Sequence, residues 1–338
     1  MLHTPLCDLF DIDLPIVQAA MGPITSPELV AAVSNAGALG SIGAVERSAD
    51  ELRREIARVR DLTDRPFAVN FLVSRIDEDG FETALEAHPA VISLALGDPG
   101  NRVKRAHDAG ARVMHQVHTV RQALEAAERG VDAIIAQGTE AGGNCGDVST
   151  VTLVPQVVDA VAPIPVLAAG GIADGRGFAA ALVLGAQGIN IGTRFLASLE
   201  ARCGEGWKRA VVDAESEDAV KVQFWNDLFP RHVAGSYDAI PRALRTAFIT
   251  RWEASPLETG DTGRLRDEIL AGIRAGRMHE YVPLAGQSAG MIREVLPAAE
   301  IVHRLAAEAA ALLRRVAAYP EQRAPARVAS RDVEQPAV

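Results

Sequence analysis

The sequence predicts an α/β fold, a (β/α)8 TIM barrel with a helical insertion or lid after strand eight. Three observations carry this. The chain has 338 residues, long for one small domain and right for a barrel with an added segment. Nearly half of it, 48%, is apolar, yet only 4% is aromatic, so Ala, Val, Leu, Ile and Gly must do the packing, as in buried parallel strands and the helices that cover them. Short apolar, β-rich runs alternate with helical patterns up to about residue 200, which reads as βαβ units and a parallel sheet.

The runs, in order, are 15–21, 39–44, 67–73, 91–97, 112–118, 133–138, 164–170 and 188–193. Eight units of this kind favour a closed barrel over an open sheet. Helical stretches lie between them, among them 26–36, 49–61 and 119–129. Thr25-Ser26-Pro27-Glu28 marks one helix start, a capping hydroxyl just before a Pro in the first turn. After Phe195 the alternation stops. Residues 200–290 hold all three tryptophans, Trp207, Trp225 and Trp252, and are expected to form a helical insertion shaping the substrate pocket. Residues 291–318 have the spacing of a packed helix, which assigns 1–199 and 291–318 to the barrel. Residues 319–338, rich in Pro, Arg and Ala, are expected to be a mobile tail.

Net charge is −10, which disfavours nucleic acid and anionic lipid as partners. Cys7, Cys145 and Cys203 are odd in number and widely spaced, against a disulfide framework or a CxxC metal site. No His/Asp/Glu cluster has metal-ligand spacing, so no metal is expected. The first residues lack the basic and apolar regions of a signal peptide, and no apolar run reaches membrane-spanning length, so the cytoplasm is the expected compartment. Asp77-Glu78-Asp79 reads as a solvated surface turn. Gly37 to Gly43 lacks the GxGxxG spacing and precedes a strand, and no Lys ends a strand where a Schiff base would form.

Barrel active sites lie at the C-terminal strand ends. The seventh run ends in Gly170-Gly171 and the eighth in Gly192-Thr193. Small residues there let backbone N–H groups approach a phosphate, a recurring use of these two barrel loops. The sixth run leads into Gly142-Gly143-Asn144-Cys145, a loop able to press against a flat ring, and Met21-Gly22 after the first run suits its other side. Asn70 sits in a run otherwise apolar, and Gln116 mid-strand in a run it shares with His115; a buried amide needs a partner, which a polar ring edge or the backbone supplies.

The segments PIVQAAMG, FAVNFLV, QGTEAGGNCG, PVLAAGGIADGRG, LGAQGINIGTRF and GQSAGM together resemble the motifs of the nitronate monooxygenase (2-nitropropane dioxygenase-like) family, and are similar to those of FMN-type enoyl-acyl-carrier-protein reductases. The resemblance implies non-covalent FMN, with Met21, Gly22, Asn70, Gln116, Gly142, Gly143, Gly170, Gly171, Gly192 and Thr193 contacting it and Gln287 and Ser288 closing over its edge. It departs at Asn144, where relatives usually carry a catalytic His; an amide takes no proton near neutral pH. His118 is the substitute base considered, on the same strand face as Gln116; its alternative reading is a helix-entry histidine facing solvent. His115 has the opposite parity and is expected to face a helix, and His232 falls in the insertion. Cys145 is read as a spectator thiol rather than a nucleophile.

The resulting expectation is an FMN-dependent oxidoreductase that oxidises a small organic substrate of alkyl nitronate type with O2. One alternative is an NAD(P)H-dependent flavin reductase acting on an enoyl thioester or quinone. Another is a flavin-binding protein with little catalysis. A homo-oligomer is left open.

Overall fold

The computed structural model describes residues 2–229, 237–254 and 261–318. The expected tail and His232 lie outside them. Eight parallel strands form the central sheet: β1 (Ile16–Gln18), β2 (Gly40–Gly43), β3 (Phe67–Leu72), β4 (Val91–Ala95), β5 (Arg112–Val117), β6 (Ala133–Gln137), β8 (Val166–Ala169) and β9 (Gly188–Ile191). Their order is β1-β9-β8-β6-β5-β4-β3-β2. The ring closes between its end strands through the parallel bridge Val17–Leu39, with Leu39 N–H donating to Ile16 O at 2.9 Å and Gln18 N–H to Leu39 O at 2.9 Å. All eight apolar runs therefore became barrel strands.

Helices cover the outside, and their starts follow local chemistry. Ser26 caps the helix Pro27–Asn35 by accepting from Leu29 N–H at 3.0 Å. Ser48 and Glu51 form a reciprocal capping box on Ala49–Leu62. Asp77-Glu78-Asp79 is more than the expected turn: Asp77 accepts from Gly80 N–H at 3.1 Å and caps Glu78–Glu86, while Glu78 pairs with Arg105 at 2.8 Å. The last helix starts later than expected, at Ala298 rather than near 291, because Pro297 sits at its N-cap. It lies so close to the helix Gly175–Val183 that a Cβ on Gly175 would stand 2.3 Å from Glu308 Cβ.

The N-terminal end of the barrel is plugged. Leu6, Cys7 and Phe10 of the helix Pro5–Phe10 pack with Val17, Leu39, Met114, Ile135 and Leu167. That leaves the C-terminal end of the strands for a ligand.

Residues 200–290 are not helical throughout. They contribute the helices Glu205–Asp213, Trp225–Leu228, Ala247–Glu253 and Asp261–Arg274, but also β10 (Ala219–Lys221) and β11 (Ile240–Leu244). These two strands and β7 (Gly143–Cys145), from the loop after β6, form an antiparallel sheet ordered β10-β11-β7. The segment has a core of its own around Phe224, Phe248, Ile269 and Tyr281. The strands are short and mixed in pattern, and their pairing partner lies elsewhere in the chain, so no local period announces them.

Candidate active site

A cavity of about 520 Å3 opens at the C-terminal strand ends, within the size range of small-molecule and cofactor sites. Its floor is polar. Asn70, Gln116, Gln137 and Asn190 rise into it from β3, β5, β6 and β9, each an amide in a strand that is otherwise largely apolar. Asn70 Nδ2 donates to Ser93 Oγ at 3.1 Å across β3 and β4, and Gln116 Nε2 donates to Gln137 Oε1 at 3.1 Å across β5 and β6. Gln18, which does not itself line the cavity, accepts from Ser41 N–H at 3.0 Å. The hydroxyl of Ser41, 1% exposed, has no partner among the described residues, and Ser41 lines the cavity.

Glycine makes the walls. Gly170 and Gly171 have φ of +99° and +73°, conformations an L side chain rarely adopts. Two distant motifs meet here. Gly286 N–H donates to Thr193 Oγ1 at 2.9 Å, and Gln287 N–H donates to Glu140 O at 2.9 Å. Glu140 also anchors its own loop, accepting from Thr150 N–H at 2.9 Å and from Thr150 Oγ1 at 2.8 Å. Thr150 Oγ1 lies 3.1 Å from Gly170 O, so the loops after β6 and β8 are tied together.

The inserted strands hold the loop after β6 from above. In the β7–β11 register Asn144 stands opposite Pro241, and Gly143 opposite Arg242. Arg242, buried, donates from Nε to Thr139 O at 3.0 Å and from Nη1 to Ala219 O at 2.6 Å. Trp207, Trp225, Pro241, Met278 and Leu284 give the cavity an apolar wall from this segment.

Met21, Gly22, Asn70, Gln116, Gly142, Gly143, Asn144, Gly170, Gly171, Gly192, Thr193 and Ser288, all singled out in the sequence, line the cavity. Gln287 and His118 do not. Gln287 belongs to the 3-10 turn Gln287–Met291 that braces Glu140, and only its neighbour Ser288 reaches the cavity. His118 is 2% exposed and faces neither the cavity nor solvent. It packs behind the loop, where a Cβ on Gly146 would meet its Cβ at 2.6 Å, and its ring lies edge-on to Tyr237 with centroids 6.2 Å apart. Strand parity put it on the right face, but β5 ends at Val117 and the chain turns there, with Gln122 Oε1 accepting from His118 N–H at 2.8 Å.

His115 is fully buried, and Nε2 lies 3.0 Å from the Tyr237 hydroxyl, so it meets the inserted segment rather than only a helix. Burial pushes its pKa down to about 3, although Asp98 pulls the other way. Burial likewise raises the Tyr237 hydroxyl above its ordinary value. Cys145 is buried with its thiol 3.5 Å from Thr139 O and Ile240 O, and burial raises its pKa, which suits a spectator. Cys203, on the cavity wall, is pushed up to about 11 by burial. All three cysteines are free, and no cluster of metal-ligating side chains occurs among the described residues.

Trp207 and Trp225 line the cavity from the segment expected to shape the pocket, but several other lining residues escaped the sequence reading: Ser41, Ser74, Arg75, Asn190 and Arg202. Asn190 carried the signal that exposed Asn70 and Gln116, a lone amide in an apolar run. The others carry none.

A closed α/β barrel with a plugged base and a glycine-walled, amide-floored cavity at its mouth defines a barrel enzyme acting on a small molecule. A profile of the nitronate monooxygenase family matches residues 3–87 and 77–308. The chain belongs to that family and is an oxidoreductase. It is 40% identical over 278 residues, 82% of this chain and 73% of the other, to a (3aS,4S,5R,7aS)-5-hydroxy-7a-methyl-1-oxo-octahydro-1H-indene-4-carboxyl-CoA dehydrogenase of Rhodococcus jostii. It is 35% identical over 267 residues, 65% of this chain and 75% of the other, to a probable nitronate monooxygenase of Staphylococcus saprophyticus. Among solved structures, FabK from Thermotoga maritima superposes with a TM-score of 0.85 at 33% identity, covering 94% of this chain and all of that one. No helix among the described residues is long and apolar enough to cross a membrane.

Proposed function

We propose that this protein binds FMN non-covalently and oxidises a small organic substrate that arrives already ionised, an alkyl nitronate. One observation carries the reading: the cavity has an amide-lined floor, glycine at the loops after β6, β8 and β9, and no His, Lys or Tyr among its described lining residues. The buried Ser41 hydroxyl, without a partner among the described residues, and the open space left at Gly143, Gly171 and Gly192, where an added Cβ would meet no atom nearer than 3.6 Å, fit a flat ligand with a polar edge. Asn70 and Gln116 would meet that edge, Gly170, Gly171, Gly192 and Thr193 would hold the phosphate, and Gly142, Gly143 and Met21 would flank the ring. When bound, FMN supplies the two-electron chemistry, and O2 takes the electrons up.

The chain's own residues then orient the substrate and exclude water. Asn144 donates a hydrogen bond to the nitronate oxygens but accepts no proton. Trp207, Trp225 and Met278 shield the reacting face. A substrate that must first lose a proton finds no imidazole among the described lining residues.

A second reading is favoured by the 40%-identical relative, whose name describes dehydrogenation of a carboxyl-CoA compound. In that reading the substrate is an acyl thioester and a nicotinamide nucleotide or another carrier replaces O2.

The test is a visible spectrum of the purified protein, release of the flavin by denaturation, and anaerobic titration with ethyl nitronate and with NADH. Released FMN and bleaching by nitronate support the first reading. Bleaching by NADH alone moves the assignment to the second. A colourless protein that takes up no FMN removes both.

A further inference from the structure

Among the described lining residues four carry titratable side chains: Glu46, Arg75, Arg202 and Cys203. Two guanidiniums and one carboxylate thus line the cavity, and no ion pair joins Glu46 to either arginine among the described residues. The two arginines differ. Arg202 donates to Glu55 at 2.6 Å, a carboxylate that Arg47 also engages at 3.0 Å, so its charge is answered within the protein. Arg75 is exposed and has no hydrogen bond or ion pair among the described residues.

Arg75 ends the 3-10 turn Val73–Arg75 that follows β3. In the barrel β3 is separated from β9, the strand leading to Gly192, by β2 and β1. The Arg75 end of the mouth is therefore distinct from the glycine end. Its neighbour Ser74 also lines the cavity, is 6% exposed, and its hydroxyl has no partner among the described residues. A guanidinium and a buried hydroxyl on consecutive residues of one cavity lining, neither with a partner among the described residues, are chemistry suited to an anion with several acceptor oxygens.

We infer that Arg75, assisted by Ser74, determines specificity by receiving an anionic group carried on the substrate, a carboxylate or a phosphate, at the end of the mouth away from the glycine loops. The substrate class is then an organic anion whose apolar body lies against Trp207, Trp225 and Met278. This rests on the proposed flavin site, since it assigns the rest of the same cavity.

The test compares ligand pairs that differ in charge, by calorimetry on the flavin-loaded protein. 3-Nitropropionate against 1-nitropropane probes a carboxylate, and 4′-phosphopantetheine against pantetheine probes phosphate. The wild type is expected to bind the charged member of one pair more tightly, and that pair names the source. In Arg75→Ala the charged-to-neutral preference should fall about tenfold or more, the range of a hydrogen bond to a charged group, while Arg75→Lys keeps part of it. No charge preference in the wild type for either pair, or a preference unchanged in Arg75→Ala, overturns the inference. Flavin content is read from the same samples, so a failure of the FMN reading shows as colourless protein, and a failure of this one as yellow protein without charge discrimination.

Discussion

Gly142 and Gly286 approach so closely that neither tolerates a side chain. A Cβ on Gly142 would lie 2.6 Å from Gly286 N, and one on Gly286 would lie 2.7 Å from Gly142 N. This contact joins the loop after β6 to the segment that follows the insertion, 144 residues further along the chain, and with it two walls of the cavity. Gly286 has φ of −90°, open to any residue, so Gly286→Ala tests packing without backbone strain. Overpacking of this kind costs about 1–3 kcal/mol. Urea unfolding should show that loss, and flavin content should fall with it. An alanine variant as stable and as yellow as the wild type would mean the loops have room to part.

Gly192 offers the cleaner probe of the proposed phosphate site. Its φ is −114°, and an added Cβ would make only ordinary contacts with Ala19 and Met21 at 3.6 and 3.7 Å. Gly171, with φ of +73°, would mix strain with charge. Gly192→Asp should fold and lose FMN, because two like charges a few Å apart repel by on the order of several kcal/mol at an effective dielectric near 20. Equilibrium dialysis with FMN and a thermal melt measure the two effects separately. Full flavin occupancy in the folded variant would place the phosphate elsewhere.

Asn144 should make the protein a poor catalyst for neutral nitroalkanes and a competent one for preformed nitronates. Asn144→His is expected to raise activity on nitroethane more than on ethyl nitronate, by at most the roughly 10²–10⁴-fold of a positioned base. His118→Ala should change neither, since His118 lies behind Gly146 and off the cavity. Oxygen uptake with both substrates decides it. Strong wild-type turnover of nitroethane that disappears in His118→Ala would restore that histidine as the base.

His115 predicts an acid-sensitive fold. Its pKa is held at about 3 in the folded protein against an unfolded value near 6.5. The unfolded chain therefore binds the proton first, and the stability His115 contributes is present above pH 6.5 and is lost as pH falls from there toward 3. At pH 5.5 the loss is about 1.4 kcal/mol. Urea unfolding of the wild type and His115→Gln at pH 7.5 and 5.5 isolates it: the variant should lose less on acidification. Equal losses would show that His115 takes its proton in the folded state.

The sequence by itself determined the barrel, because strand and helix periods, the Ser26 cap and the glycine turns are written in residues a few positions apart. It also marked the cavity floor at Asn70 and Gln116, since an amide in an apolar strand advertises its need for a partner. The tertiary structure decided what depends on residues far apart in the chain. It turned His118 away from the cavity at the end of β5, and paired β11 with the loop that holds Asn144. It also set Gly286 against Gly142 and left Arg75 without a counter-ion at the mouth. No local pattern encodes these, because each is fixed by how the inserted segment packs across the barrel, and packing is a property of surfaces brought together only when the sheet closes.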